Sequence, residues 1–248
     1  MKDVAGSTTQ GGVFVADNFR DNLIIDRFDP VFSGMRASKL KHMRSENSED
    51  VVSWNVFRSL RQINPAEWLP ILIERGLGSG ITLSIEGTTV DLWKIVKPPT
   101  SLLDGGDEGD SEIDIIIENP RWVWFIEAKL NSDVSTGTTT RPDRDQVLRN
   151  IDVGSYYSGV RPFYFSLLYR SEGRSSEGVG AINLYQDFQI VRERLPHRSD
   201  GLRNLSAIGS LTWGDIRETL AAVSLRTKRS QEHFYAQNCI EWLQSRGI

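Results

Sequence analysis

The stretch that decides the fold is SEIDIIIENPRWVWFIEAKL, residues 111–130. It holds two strongly apolar runs separated by Asn119-Pro120. Side chains alternate across a β-strand, and a strand that is apolar on both faces is normally buried on both. Pro120 suits the second position of a tight turn spanning Asn119–Trp122. The stretch therefore predicts two buried neighbouring strands, paired outward from that turn.

Three charged residues, Asp114, Glu127 and Lys129, interrupt the apolar pattern near the strand ends. Pairing residues outward from the turn sets Asp114 opposite Glu127, with both side chains on the same side of the sheet. Two carboxylates so placed repel each other unless a cation lies between them, and hard oxygen ligands with open positions suit Mg²⁺. Lys129 points to the same side. The sequence therefore predicts a metal site with an ammonium beside it.

This combination of residues fits the hydrolysis of a phosphodiester. The reaction needs a positioned water with a lowered pKa and neutralisation of charge on the phosphate. Mg²⁺ held by Asp114 and Glu127, with Mn²⁺ as a substitute, would supply the Lewis acid. Lys129 can orient the water, help to deprotonate it or stabilise the developing charge.

The spacing Asp114…Glu127-Ala128-Lys129 on consecutive predicted strands resembles the PD-(D/E)xK, or restriction-endonuclease-like, nuclease superfamily. Ile113 stands where that pattern has a proline. The resemblance implies a helix–strand–strand–strand–helix–strand core over roughly residues 45–170. The helices expected in the C-terminal part, about 175–248, lie outside the resemblance. It also implies a metal-dependent nuclease that acts on nucleic acid, with DNA as the expected substrate.

The resemblance implies two further site residues. An acidic residue on the helix before the sheet is often a third metal ligand, and Glu49 is our candidate, with Glu46 as the alternative. Acidic residues in a first helical turn also simply favour the helix dipole, and both interpretations stay open. Gln146 matches a glutamine that follows the lysine strand in some members, and we assign it to the catalytic set. Asn150 stands where a variant of that motif has tyrosine.

The chain has 248 residues and a net charge of -4, which argues mildly against a dedicated nucleic-acid binder. Residues 141–230 nevertheless hold 14 Lys and Arg against 10 Asp and Glu. Within that region, Arg144 and Arg149 could contact phosphates, but a solvated helix face is the favoured interpretation of each one. The charge distribution alone does not decide the partner.

Several observations bear on the class of protein. No apolar run is long enough to cross a membrane, and the N-terminus lacks the apolar core of a signal peptide. The one cysteine, Cys239, excludes an internal disulfide framework, and its apolar helical surroundings predict a buried thiol. We expect a cytoplasmic protein without a membrane partner.

The remaining patterns predict an α/β (or α+β) fold, a mixed central β-sheet flanked by helices. We expect a flexible arm over residues 1–20 and a single domain over 21–248. The predicted elements, in chain order, are helices over about 48–62 and from Pro65 to the glycines at 76–80, strands over 81–86 and 90–96, the two strands of the opening stretch, a helix over 142–158, a strand over 161–170, and helices over about 180–195, 212–223 and 230–246.

Two other functions stay open beside the nuclease. A nuclease-like fold could bind nucleic acid or protein without cleaving a phosphodiester. Alternatively, the chain could be an unrelated α/β domain in which the charged residues of the hairpin are solvent-exposed and have no function. Nor does the sequence distinguish DNA from RNA, endonuclease from exonuclease, or a monomer from a homodimer. The role in restriction, repair or defence is equally open.

Overall fold

The computed structural model describes residues 4–100, 109–137, 144–171 and 176–248. The chain divides into two compact units. The first comprises Met1–Trp68 and Arg217–Ile248, and the second comprises Leu69–Ile216. No described helix combines the length and apolarity needed to cross a membrane.

The first unit is mainly helical. Residues 4–20 lie within the segment for which the sequence predicts an arm, and they contain two short antiparallel strands. The elements that lie wholly in this unit are β1 (Gly6–Thr8), β2 (Phe14–Ala16), two 3-10 turns (Phe19–Asn22 and Pro30–Gly34), α1 (Ala37–His42), α2 (Glu49–Arg61) and α8 (Ser230–Ser245). Helix α2 forms where the sequence predicts it, and it packs against α8. Cys239 on α8 is fully buried, as predicted, and burial raises the pKa of its thiol to about 12.

The second unit contains a mixed sheet. The elements that begin or lie in it are β3 (Thr89–Val96), β4 (Ser111–Asn119), β5 (Trp122–Ala128), α4 (Gln146–Ser158), β6 (Phe163–Tyr169), α5 (Ser176–Tyr185), α6 (Phe188–Arg194), β7 (Leu205–Thr212) and α7 (Trp213–Arg226); α3 (Pro65–Leu77) ends in it. The strand order is β3-β4-β5-β6-β7; the first two pairings are antiparallel and the last two are parallel. This is the predicted α/β class, a mixed sheet flanked by helices. Within its described residues, the predicted helical C-terminal part contains four helices, α5 to α8.

The predicted turn and register of the first two strong strands are confirmed. Asn119 pairs with Trp122, and the pairing continues to Ile115 with Ile126. The Asn119 side-chain oxygen accepts hydrogen bonds from the backbone N–H groups of Arg121 and Trp122, at 2.8 and 3.2 Å. The Asn119 side chain therefore stabilises the turn by accepting hydrogen bonds from two of its backbone N–H groups.

Three sequence expectations about elements are corrected. Residues 81–86 are not a strand; instead, the Ser84 carbonyl accepts hydrogen bonds from the side chains of Asn119 and Trp122, both at 2.8 Å. The helix predicted over 180–195 is two helices, because the Asp187 carboxylate caps a new helix by accepting from Gln189 N–H. Strand β7 was not predicted, and it completes the sheet beside β6.

Helix α4 lies against the sheet through one apolar face. Its buried residues Val147, Leu148 and Ile151 belong to the same hydrophobic cluster as Phe125 of β5 and Phe163 of β6. Gly154 permits the close approach of helix and sheet, because a Cβ there would lie 2.2 Å from the Phe163 ring and 2.8 Å from the Phe125 ring.

We expect Gly154→Ala to lower the free energy of unfolding by about 1–3 kcal/mol, because overpacking forces neighbouring groups apart. Urea denaturation measures this. Gly180→Ala on α5 is the matched control, since a Cβ there would meet nothing within 4 Å. The control should keep or gain up to about 1 kcal/mol. Equal behaviour of the two variants would contradict this packing.

Candidate active site

Glu127 and Lys129 lie together at the C-terminal end of β5. Glu127 is 2% exposed and Lys129 is 8% exposed. The Lys129 ammonium lies 2.7 Å from Glu127 Oε1. Lys129 is held in place by its backbone N–H, which donates to the Leu168 carbonyl of β6 at 2.7 Å. The two predicted residues therefore form a buried ion pair.

Two amide side chains of α4 complete the surroundings of Glu127. Gln146 Nε2 donates to Glu127 Oε1 at 2.5 Å, and Asn150 Nδ2 donates to Oε2 at 2.7 Å. Residues four apart lie on one face of a helix, so both amides point to the same carboxylate. The sequence predicted Gln146 for this site but missed Asn150. The available signal was its position one helical turn after Gln146.

These contacts offset the desolvation cost of burying the Glu127 carboxylate. An isolated carboxylate is costly to bury unless it is paired and hydrogen-bonded. Glu127 has an ammonium and an amide on one oxygen and an amide on the other. The fit of α4 on β5 therefore depends on Glu127 as well as on the apolar cluster.

We expect Asn150→Ala to lower the free energy of unfolding by about 1–3 kcal/mol, because it leaves a buried carboxylate oxygen without a donor. Thermal or urea unfolding measures the change. Asn183→Ala, at an exposed position on α5, is the matched control and should stay within about 0.5 kcal/mol of the wild type. The Asn150 contact would be energetically irrelevant if both variants unfolded alike.

Asp114 lies on β4 just beyond the paired residues. The β4–β5 ladder ends at Ile115 with Ile126, and its continuation would place Asp114 opposite Glu127. The Asp114 carboxylate accepts a hydrogen bond from the backbone N–H of Ala128 at 2.9 Å. On the other side, Trp93 of β3 has a positive φ of 55° and is absent from the β3–β4 pairing. The sheet is thus irregular at Asp114, where the Asp114 carboxylate, not a backbone carbonyl of β4, accepts the Ala128 N–H.

The two helix candidates for a third ligand lie in the first unit. Glu49 is half-buried in the first turn of α2. The alternative, Glu46, has both carboxylate oxygens engaged within that unit. Its Oε1 accepts a hydrogen bond from Phe14 N–H at 2.6 Å, and its Oε2 forms an ion pair with Arg246 at 2.9 Å. Of the two, Glu46 therefore has an evident structural role.

The donor set can be tested against a divalent cation by its chemistry. Mg²⁺ in proteins usually keeps several waters and binds through one or two carboxylates. Asp114 and Glu127 supply two carboxylates from neighbouring strands, so their chemistry fits. Among the described residues, no group of three or more His, Cys, Asp or Glu side chains is placed to hold a metal ion. A cation here would rely on water and substrate for its remaining ligands.

The segment after Lys129 is tied to the site through Gln146. The Gln146 side-chain oxygen accepts from Ser135 N–H at 3.2 Å, and its backbone N–H donates to the Ser135 carbonyl at 2.9 Å. Asp133 in the same segment accepts from the first N–H groups of α5, at Glu177 and Gly178. Gln146 therefore links Glu127 to a segment that is itself fixed to α5.

The opposite side of α4 carries a second buried carboxylate. Asp152 is fully buried, and its oxygens contact Arg144 at 2.8 Å, His197 at 2.8 Å and Arg198 at 2.9 Å. Arg144 is only 1% exposed. The sequence suggestion that Arg144 could contact phosphates is therefore wrong, because its guanidinium is buried against Asp152.

The Asp152 network also predicts a pH dependence of stability. Burial opposes ionisation, but hydrogen bonds from His197 and Arg198 and the charge of Arg144 hold the pKa of Asp152 below its usual value. A carboxyl whose pKa is lowered by folding stabilises the protein above its unfolded pKa of about 3.9. This contribution is lost as the pH falls through the folded pKa.

We therefore expect Asp152→Asn to lower the free energy of unfolding by about 3–5 kcal/mol near neutral pH, with the difference from wild type shrinking below about pH 4. Urea titrations at the two pH values measure this. Asp91→Asn is the control, because the Asp91 side chain is 41% exposed. A difference that persisted unchanged in acid would rule out the ionised carboxylate as its source.

Comparison with known proteins adds little. No family model matches the chain. No curated protein matches it either. Among solved structures, it is similar to the crystal structure of a protein of unknown function, AF1548, with 16% identity and a TM-score of 0.24. That match covers 78% of this chain and 98% of the other. A likeness this low supports no conclusion about fold or function.

Proposed function

We propose that the chain is a metal-dependent nuclease of the PD-(D/E)xK type that hydrolyses phosphodiester bonds of DNA. The observation that supports this most is the convergence of Glu127, Lys129 and Gln146 in one hydrogen-bonded group. The group is not formed by neighbours in the chain alone, because Gln146 lies 19 residues after Glu127 in the sequence. The proposal includes a cytoplasmic location for the protein.

In this proposal, Asp114 and Glu127 hold Mg²⁺, or Mn²⁺ in its place. Such a bound cation lowers the pKa of a water and offsets negative charge on the phosphate. Lys129 carries an ammonium with three N–H donors, and it would orient the attacking water or stabilise charge on the phosphate. Gln146 and Asn150 act on Glu127 and fix the direction of its carboxylate.

A binding module without cleavage is the second candidate, and two observations favour it. Both oxygens of Glu127 already accept hydrogen bonds from the protein. In addition, the described part of the chain lacks a group of three metal-binding side chains. In such a module, the Glu127 cluster would hold α4 on the sheet and nothing more.

The decisive experiment is cleavage of labelled nucleic acids by purified wild-type protein in Mg²⁺, Mn²⁺ or EDTA. The panel holds double-stranded, single-stranded and branched DNA and single-stranded RNA. We expect metal-dependent cleavage of DNA, and a loss of about 100-fold or more in Lys129→Ala, because that variant lacks the positioned ammonium. The matched control, Lys97→Ala, changes an exposed lysine of the same unit and should retain activity.

Three outcomes would contradict the nuclease proposal. Cleavage that survives EDTA would point to a contaminant or to another mechanism. Equal activity of Lys129→Ala and wild type would remove Lys129 from the site. Binding of DNA without cleavage in either metal would favour the binding module.

A further inference from the structure

Phe28 in the first unit presents its ring to solvent. It is 82% exposed, whereas the neighbouring phenylalanines Phe19 and Phe32 are 8% and 2% exposed. The backbone around it is fixed at both sides: Asp26 and Asp29 are each paired with Arg58, at 2.5 and 2.7 Å. Phe28 is therefore an exposed aromatic ring on an anchored turn.

Arg20 braces this ring. Its guanidinium carbon lies 5.6 Å from the centroid of Phe28 and 4.6 Å from that of Phe19. The Nε atom of Arg20 is buried without a hydrogen-bond acceptor, and within the described ranges no carboxylate forms an ion pair with Arg20. Two aromatic rings thus contact the cation.

A second cation precedes Phe28 directly in the sequence. Arg27 is exposed, and it forms no ion pair with any acid that the structure describes. The acids on either side of Arg27 and Phe28, Asp26 and Asp29, are both engaged by Arg58. Asp21 is the competing exposed acid on the adjoining 3-10 turn.

We propose that Arg20, Arg27 and Phe28, here called the Phe28 platform, bind single-stranded nucleic acid. A base stacks on the Phe28 ring while the two arginines contact the neighbouring phosphates. Stacking on aromatic side chains beside cations is the common mode of binding single strands without sequence preference. The inference rests on the proposed function in that its ligand is nucleic acid, but it requires no cleavage.

The size and charge of the platform favour this ligand over a protein partner. A stable protein interface buries roughly 800 Å² on each side around an apolar centre. The nearby exposed hydrophobic residue is Val31, which lies on the following 3-10 turn and is 42% exposed. One exposed ring with Arg20 against it and Arg27 next to it in sequence is too small for such a centre, but it matches one base and its adjacent phosphates.

The test is fluorescence anisotropy with a labelled oligo(dT) of about 20 nucleotides, in EDTA and at low salt. We expect Phe28→Ala to weaken binding about 5- to 100-fold, the range typical of losing one stacked base, and Phe28→Trp to retain it. The matched control is Phe234→Ala. Phe234 is 60% exposed in the same unit, and its ring contacts Tyr235 rather than a described arginine.

The charges of the platform make two further predictions in the same assay. Arg20→Ala should weaken binding and reduce the slope of log affinity against log salt by about 0.7, the value for one phosphate contact on a single strand. Asp21→Asn should strengthen binding, because it removes the competing negative charge. Thermal melts check that each variant is folded.

Failure of this inference is distinguishable from failure of the nuclease proposal. Equal affinities of folded Phe28→Ala, Phe234→Ala and wild type would overturn the platform, as would the absence of oligonucleotide binding by wild type. A change in oligomeric state with Phe28→Ala, without a change in oligonucleotide affinity, would show a self-contact instead. Binding through Phe28 without cleavage in any metal would leave the platform standing and remove only the nuclease.

Discussion

The buried carboxylate of Glu127 sets the strictest requirement in the second unit. Its 2% exposure removes it from water, so the protein must supply every compensating group. Lys129 directly follows β5, while Gln146 and Asn150 come from α4. Strand β5 and helix α4 must therefore align to within hydrogen-bonding distance. Apolar packing alone tolerates small shifts, but these directional contacts do not.

Much of the central hairpin could be predicted because its rules are local. A turn residue with a fixed φ and a strict two-residue alternation determine the register from Asn119–Trp122 outward, and the pairing follows it to Ile115 and Ile126. The same alternation predicted Glu127 and Lys129 on one side of β5. Gln146 was chosen from a resemblance to known nucleases; it donates a hydrogen bond to Glu127, and its catalytic role stays a prediction.

Other features depend on partners distant in sequence and left no local signal. Asn150 looks like any polar helix residue until α4 is placed on the sheet. The Asp152 network joins residues up to 46 positions apart. Residues 81–86 have the composition of a strand, but side chains of the hairpin engage their carbonyls. At Asp114, the pairing with β3 is interrupted beside Trp93, whose positive φ the sequence pattern did not predict.

The Lys129–Glu127 pair has a consequence for the folding of this region. In many small metal-binding domains, the ion itself compensates the ligand charges, so folding waits for metal. Here the ammonium of Lys129 already balances the buried carboxylate at 2.7 Å. The buried carboxylate of Glu127 therefore has a counter-ion within the chain itself, and its burial does not require a bound divalent cation.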